Sequence, residues 1–265
     1  MSKILICFDF DGTLVNKNGI IHTNDIEILK NEKRVYFIPT TGRPLHSVKN
    51  LFSKYNLFYN APIPFPLILQ NGAVIYFPYE KLYKIFPINQ EELNVILKVS
   101  KIERDLTILL FSIDKVFTQN LIPYAKDFIT RFNLNTQPLN SKDILNKITK
   151  IMLISKNQKI LSKIVEKLKH INIEVSFSLS STLEINQIDV NKAKSLSLIL
   201  KELNLDKEYM VAAGDGENDI PLFNLADLTF CPENSFVSLK NIADYIINVN
   251  KEGVFMPIFK KIDLN

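Results

Sequence analysis

The first third of the chain alternates apolar runs with segments of helical spacing. Residues 3–10 form an apolar run that ends at Asp11-Gly12, which predicts a buried strand followed by a tight turn. Helical spacing over 24–31, a short apolar run over 35–39 and helical spacing over 44–55 follow in order. This β-α-β-α order predicts a doubly wound parallel sheet, which binds ligands at the carboxyl ends of its strands.

The hydrophobic pattern of the chain changes after Asn71-Gly72. The alternation of strands and helices predicted for the first third returns only near residue 190. We expect an α/β fold with a Rossmann-like core at 1–80 and 186–265 and an inserted α/β domain at 81–185. The elements that support this division are predicted strands at 73–77, 83–88, 106–113, 148–155, 173–179, 182–186 and 209–213, and predicted helices at 90–103, 124–132, 158–170, 192–203 and 219–224.

Composition limits the classes of function. Of the 265 residues, 46% are hydrophobic and 23% charged, which is typical of a globular protein that folds unaided. The net charge of +4 comes from lysines spread along the chain, so it does not favour nucleic-acid binding. No apolar stretch reaches the roughly 18 residues that a membrane span needs, and no signal peptide is visible. Cys7 and Cys231 lack metal-site spacing, so we expect buried thiols and a cytoplasmic protein.

Two carboxylates stand at the end of the first predicted strand, in the sequence Phe8-Asp9-Phe10-Asp11-Gly12-Thr13. Such charges are costly beside a buried strand unless a cation balances them, so a role as mere turn-formers is the weaker interpretation. A carboxylate can attack phosphorus as a nucleophile, and a neighbouring carboxyl can protonate the leaving group and then activate water. This segment is therefore the first candidate site.

A second acidic segment, Gly214-Asp215-Gly216-Glu217-Asn218-Asp219, follows the predicted strand at 209–213. Taken alone it is equally well explained as a turn whose last Asp caps a helix. Together with the first segment it supplies the oxygen ligands that magnesium prefers, with Asp9 and Asp215 as the obvious side-chain ligands.

A hydroxyl, a flexible backbone and a guanidinium follow the second predicted strand, in Thr40-Thr41-Gly42-Arg43. All three suit phosphate oxygens, although Thr-Gly before a helix is also ordinary capping. Lys192, at the start of the helix predicted after the insertion, can supply a point charge to the same phosphate.

Taken in this order, the motifs resemble those of the haloacid dehalogenase superfamily of phosphohydrolases, in the Cof-type branch with a type IIB cap. The resemblance covers nearly the whole chain and implies that 81–185 is the cap. It implies that Asp9 is the nucleophile and a metal ligand. It also implies that Asp11 is the general acid/base and gives a backbone carbonyl to magnesium, and that the Thr41 hydroxyl binds phosphate beside Gly42. Arg43 would lie near the substrate.

The resemblance extends to the later segments. Lys192 matches the lysine that balances charge on the nucleophile and phosphate, and Asp215 matches a metal ligand. Asn218 would lie near the phosphate, and Asp219 would support the metal and its waters. Two further matches belong to the branch, and they imply that the substrate pocket is lined by Asn71, in Gln70-Asn71-Gly72-Ala73, and Asn234, in Cys231-Pro232-Glu233-Asn234-Ser235.

We therefore expect a magnesium-dependent phosphatase that hydrolyses a small phosphorylated metabolite, with sugar phosphates favoured by the resemblance alone. A phosphosugar mutase similar to the phosphomannomutases is the first alternative. A non-catalytic protein that binds phosphometabolites is the second. The partners expected are the small metabolite and neither nucleic acid nor membrane, in a monomer or homodimer.

Overall fold

The computed structural model describes residues 4–58, 62–78, 82–113, 115–140, 147–205 and 209–264. The chain divides into two compact units. The first consists of Met1–Gly42, Leu51–Tyr83 and Asn191–Asn265, and the second of Arg43–Asn50 and Lys84–Val190. The predicted boundary at 80–81 and the start of the first predicted strand at residue 3 lie outside the described residues. The assignment of 81–185 as a cap stays a prediction.

Strands and helices alternate along the described residues. The strands are β1 (Ile4–Asp9), β2 (Val35–Thr40), β3 (Leu67–Leu69), β4 (Val74–Phe77), β5 (Leu82–Ile85), β6 (Thr107–Phe111), β7 (Val116–Gln119), β8 (Thr136–Pro138), β9 (Lys150–Ile154), β10 (Ile173–Leu179), β11 (Thr182–Gln187), β12 (Met210–Ala213), β13 (Leu228–Pro232) and β14 (Tyr245–Ile247). The helices are α1 (Thr23–Asn31), α2 (Leu45–Lys54), α3 (Gln90–Ser100), α4 (Pro123–Arg131), α5 (Gln158–Leu168), α6 (Lys192–Glu202), α7 (Ile220–Phe223), α8 (Val237–Lys240), α9 (Val249–Glu252) and α10 (Phe255–Lys261).

A sheet with the strand order β14-β13-β12-β1-β2-β3-β4-β5 forms the first of two sheets in the described ranges. The strands from β14 to β3 pair in parallel, and β4 pairs with β3 in the antiparallel direction. β1 lies inside this sheet, and its central residues are fully buried because both faces are covered. The Phe8 ring, for example, packs edge-on against Phe255 with the ring centroids 4.9 Å apart. The predicted parallel sheet with a buried first strand is confirmed.

The second sheet has the order β10-β11-β9-β6-β7-β8 and is antiparallel except between β7 and β8. Successive side chains of a strand point to opposite faces, and both faces here are apolar in their centre. Ile151 and Leu153 of β9 pack in a cluster with residues of α3 and α5. Met152 and Ile154 pack in a second cluster with residues of α4. The second unit therefore has its own core.

Several predicted elements needed correction at their ends. The predicted strand at 83–88 ends at Ile85, two residues before Pro87, because proline cannot donate to a strand ladder. The helix predicted from 219 begins as a 3-10 turn over Glu217–Asp219, and the α-helical part starts only at Ile220. The strands β3, β7, β8, β13 and β14 were not predicted, because strands of three to five residues carry too little periodicity. None of the helices in the described ranges is long and apolar enough to cross a membrane.

Candidate active site

The carboxyl ends of three neighbouring parallel strands bring the first candidate residues together. Asp9 ends β1 in register with Thr40, which ends β2, while Phe8 is in register with Ala213, which ends β12. Thr41 follows the end of β2 directly in the chain, and Asp215 lies two residues after the end of β12. Parallel strands that end in register place the residues after them at one edge of the sheet, as the sequence predicts.

Lys192 lies between two carboxylates at this edge. Its ammonium nitrogen Nζ is 2.6 Å from Asp9 Oδ1 and 2.6 Å from Asp219 Oδ1, and its side chain is fully buried. Burial lowers the pKa of Lys192, but the two carboxylates outweigh burial and hold that pKa above its ordinary value. Lys192 is the first residue of α6, and Asn191 caps this helix by accepting a hydrogen bond from Lys194 N. The Asn191 side chain holds the start of α6, and the two ion pairs favour the charged form of the lysine.

Asp219 supports the loop that carries Asp215. Its Oδ2 accepts hydrogen bonds from the backbone nitrogens of Asp215 at 3.0 Å and Gly216 at 3.1 Å. A Cβ atom on Gly214 would lie 2.5 Å from Asp219 Cγ, so only glycine fits there. Since Oδ1 already binds Lys192, both oxygens of this buried carboxylate have partners within the protein.

Gly12 allows Asp215 to approach the loop after β1. It has a left-handed φ of 96°, and a Cβ atom there would lie 2.0 Å from Asp215 Oδ2. The loop itself is tightly closed, because Val15 N donates to Phe10 O at 2.7 Å. Glycine at this position is therefore needed both for the backbone conformation and for contact between the two acidic segments.

The carboxylates repel one another strongly. One oxygen from each of Asp9, Asp215 and Asp219 lies within 4.8 Å of the other two. Burial, followed by the charges of Asp219 and Asp11, raises the pKa of Asp9 to about 7 even though Lys192 opposes the shift. Burial and the charges of Asp9 and Asp219 raise the pKa of Asp215 to about 9. A cluster of hard oxygen donors with excess negative charge fits a divalent cation, which would stabilise the ionised carboxylates.

The predicted phosphate-binding residues after β2 separate into two groups. Thr41 is buried at the strand end, where its N donates to Ile68 O at 2.8 Å, and Gly42 follows it. Arg43 belongs to the second unit, and its guanidinium donates to Ser47 Oγ at 3.1 Å and lies 5.4 Å from the centre of the Phe132 ring. The predicted substrate role of Arg43 therefore stays a prediction. The structure shows its guanidinium in contact with Ser47 and Phe132.

The predicted pocket asparagines lie against the loops that carry the carboxylates. Asn218 Nδ2 donates to Asn71 Oδ1 at 3.2 Å, which joins the segment after β12 to the turn after β3. Asn234 Nδ2 makes a long 3.5 Å contact with Gly12 O. Asp11 lies close enough to raise the pKa of both Asp9 and Asp215. Apart from Arg43, every predicted site residue belongs to the first unit.

One buried polar residue near the site was not predicted. Ser195 donates from Oγ to Gly72 O at 2.7 Å and is 2% exposed. The sequence pattern could have indicated Ser195, because this residue follows Lys192 by one helical turn. It also shares a buried helical stripe with Leu196 and Ile199. A hydroxyl within such a stripe indicates a specific hydrogen-bond partner.

Known proteins resemble the chain over nearly its full length. A family described as haloacid dehalogenase-like hydrolases matches residues 6–258. A candidate phosphatase of Mycoplasma genitalium is 30% identical over 94% of this chain and 95% of its own length. The 5-amino-6-(5-phospho-D-ribitylamino)uracil phosphatase of Bacillus subtilis is 24% identical over 94% of this chain and 91% of its own length. The structure of a sugar phosphatase of subclass IIB superposes with a TM-score of 0.82 at 19% identity, covering 100% of both chains.

Proposed function

Because this chain belongs to the haloacid dehalogenase-like hydrolases and is a phosphatase, we propose that it is a magnesium-dependent phosphomonoesterase with Asp9 as its nucleophile. The observation that carries this proposal is the buried Lys192 ammonium held 2.6 Å from both Asp9 and Asp219. The charge of Lys192 lowers the pKa of Asp9 against the larger effect of burial, so it favours the ionised, nucleophilic form of Asp9. Binding alone would need neither a nucleophile such as Asp9 nor a proton donor such as Asp11.

The reaction proceeds in two steps through groups of this chain. In the first step a carboxylate oxygen of Asp9 attacks phosphorus, the bond from phosphorus to the ester oxygen breaks, and Asp11 gives its proton to the leaving alcohol. In the second step Asp11 takes a proton from water as that water attacks the aspartyl-phosphate. Inorganic phosphate leaves, and Asp9 is regenerated as a carboxylate. Throughout both steps Lys192 opposes the negative charge near Asp9.

The metal proposed is Mg²⁺, held by the carboxylates of Asp9 and Asp215 and by the backbone carbonyl of Asp11. When bound, it would neutralise charge on the phosphoryl oxygens. Asp219 has a supporting role in this proposal because both of its oxygens already bind protein groups. The hard oxygen donors and the raised pKa values of Asp9 and Asp215 support this choice of ion.

The substrate proposed is a small metabolite with a phosphate on a sugar or sugar-derived chain. Two of the similar proteins support this class. One is named a sugar phosphatase, and the other is named for a substrate with a phospho-D-ribityl group. The names of the relatives as phosphatases also favour hydrolysis over the transfer of phosphate back to sugar that a mutase performs.

The test is phosphate release from a panel of sugar phosphates, sugar alcohol phosphates, phosphorylated acids and cofactor phosphates, with Mg²⁺ or with EDTA. We expect release from sugar or sugar alcohol phosphates in Mg²⁺ only. Isomerised product without free phosphate would establish the mutase instead. Release that EDTA does not reduce would contradict the metal requirement.

A further inference from the structure

Three consecutive residues after β3 have left-handed backbone conformations. Gln70, Asn71 and Gly72 have φ values of 51°, 61° and 106°. This conformation is strained for an ordinary residue such as Gln and less strained for Asn or Gly. Strained backbone of this kind persists only where surrounding contacts hold it, and it is concentrated at functional sites. The contacts that hold this turn therefore indicate what it does.

The turn is tied to the segments that carry the proposed catalytic groups. Asn71 N donates to Thr41 O at 3.1 Å, and Asn71 Oδ1 accepts from Asn218. At Gly72 a Cβ atom would lie 2.5 Å from Asn191 O, so the backbone of the turn packs directly on Asn191, the N-cap residue of α6. The turn thus contacts the loop after β2, the loop after β12 and the residue before Lys192.

Ser195 adds a direct hydrogen bond between α6 and this turn. A carbonyl oxygen can only accept, so the 2.7 Å contact with Gly72 O requires the Ser195 hydroxyl to donate. Ser195 N in turn donates to Asn191 O at 3.2 Å, within the first turn of the helix. Ser195 lies one turn beyond Lys192 on the same face of α6, so its bond limits rotation and sliding of the helix end that carries the lysine.

We propose that Ser195 is a positioning residue, which holds the first turn of α6 against the Gln70–Gly72 turn and thereby keeps the Lys192 ammonium between Asp9 and Asp219. This role rests on the proposed function of Lys192 and Asp9. Ser195 touches neither carboxylate and acts only through the helix. The placement matters because displacing a catalytic group by 1 Å can cost about 100-fold in rate.

The helix offers a matched control. Ser197 also lies on α6, but it is exposed and its Oγ donates to Ala193 O within the same helix. Ser197→Ala therefore removes a hydroxyl from the same helix without touching the turn. Ser195→Cys keeps the side-chain shape while replacing the hydroxyl with a weak donor, which separates the hydrogen bond from the filled volume.

The first measurement is steady-state hydrolysis of p-nitrophenyl phosphate in Mg²⁺. We expect Ser195→Ala and Ser195→Cys to lower kcat by about 10-fold while KM changes by less than about twofold, because the group displaced acts in the transition state. Ser197→Ala should keep the wild-type values. Equal kcat values for Ser195→Ala and Ser197→Ala would overturn the proposal.

The second measurement does not depend on activity. Hydrogen exchange of the amides in the first turn of α6 should be about 10-fold faster in Ser195→Ala than in wild type, because opening of this turn no longer breaks the bond to Gly72 O. Unchanged exchange there would overturn the role of Ser195. A wild-type protein that releases no phosphate from any ester would instead contradict the proposed function.

Discussion

The two oxygens of Asp219 have different partners in the site. Oδ1 binds the Lys192 ammonium, whereas Oδ2 accepts two backbone hydrogen bonds from the loop of Asp215. Asp219 therefore couples the lysine on α6 to the loop after β12. At the scale of single residues, the structure depends on such shared contacts between groups far apart in the chain.

Replacing Lys192 with methionine tests the charge at the centre of this network. Lys192→Met leaves Asp9 and Asp219 buried side by side without their cation, so transition-state charge is no longer opposed. We expect kcat to fall by about 100- to 1,000-fold. The control is Lys194→Met, which removes an exposed lysine from the same helix and should retain wild-type kcat. Similar kcat values for the two variants would contradict the role of Lys192.

Two glycines with positive φ provide a second test. In Gly12→Ala the new Cβ would meet Asp215 Oδ2 at 2.0 Å, so Asp215 has to move, whereas Gly19 has no atom within 4 Å of the same position. Both substitutions cost roughly 1 kcal/mol of backbone strain. Only Gly12→Ala should also lower kcat, by about 100-fold or more. Equal effects of the two substitutions on kcat would show that the contact with Asp215 is unimportant.

The sequence predicted which residues lie at this site better than how they contact one another. Asp9, Asp215 and Lys192 were found because charged residues after buried strands or at a helix start are conspicuous. The approach of Gly12 to Asp215 and the bond from Ser195 to Gly72 could not be predicted, because they depend on atomic distances between segments that sequence spacing does not encode.

Among the elements, α1 and α10 are joined by a buried carboxylate. Asp25 in α1 accepts hydrogen bonds at 3.0 Å from Val254 N and Phe255 N, at the start of α10. Phe255 packs against Phe8 of β1, so this contact anchors α10 beneath the strand that carries Asp9. Burial raises the pKa of Asp25 to about 7, although the two backbone hydrogen bonds oppose the shift.

This pKa predicts how stability changes with pH. The folded state keeps a proton on Asp25 that the unfolded state, with a pKa of 3.8, releases. The contribution of Asp25 to the free energy of unfolding is therefore greatest below pH 4 and is lost as pH rises to about 7. Asp25→Asn keeps an accepting oxygen and cannot ionise. Between pH 5 and 8 the wild type should lose on the order of 2 kcal/mol more than Asp25→Asn.

Urea denaturation of both proteins at pH 5 and pH 8 measures this difference. Other groups that titrate in the same range are present in both proteins, so subtraction isolates Asp25. Parallel changes in the free energy of unfolding would mean that Asp25 titrates normally in the folded state.

Element boundaries were predicted less well than element types. The long periodic segments that became α3, α5 and α6 were recognised because their apolar stripes run for several turns. Strands such as β3 were missed because three apolar residues fit either a strand or part of a helix. Yet β3 matters to the site, since the left-handed turn follows it directly.

For the whole molecule, the α/β order of elements was sufficient to predict the parallel sheet and the edge at which the candidate residues come together. That prediction succeeded because the carboxyl ends of parallel strands must meet on one side. Substrate choice could not be predicted, because spacing along the chain does not determine the geometry of the side chains that would contact a substrate.

Metal binding should stabilise the folded protein as a whole. If Mg²⁺ binds the folded carboxylate cluster and not the unfolded chain, saturating Mg²⁺ should raise Tm by about 5 °C, as binding linkage predicts for a chain of this size. Asp215→Asn should abolish this rise. Glu217→Gln, which neutralises an exposed neighbour in the same loop, should keep it. Equal Tm shifts in both variants would place the bound ion elsewhere.

The proposed mechanism requires that Asp9 form a covalent phosphoryl intermediate. Its most direct test is rapid acid quenching during hydrolysis of p-nitrophenyl phosphate in Mg²⁺, followed by mass spectrometry of the peptide that contains Asp9. We predict a transient peptide heavier by one phosphoryl group, with the modification on Asp9, and neither the modification nor phosphate release in Asp9→Asn. Phosphate release that persists in Asp9→Asn, with no modified peptide in the wild type, would rule out Asp9 as the nucleophile.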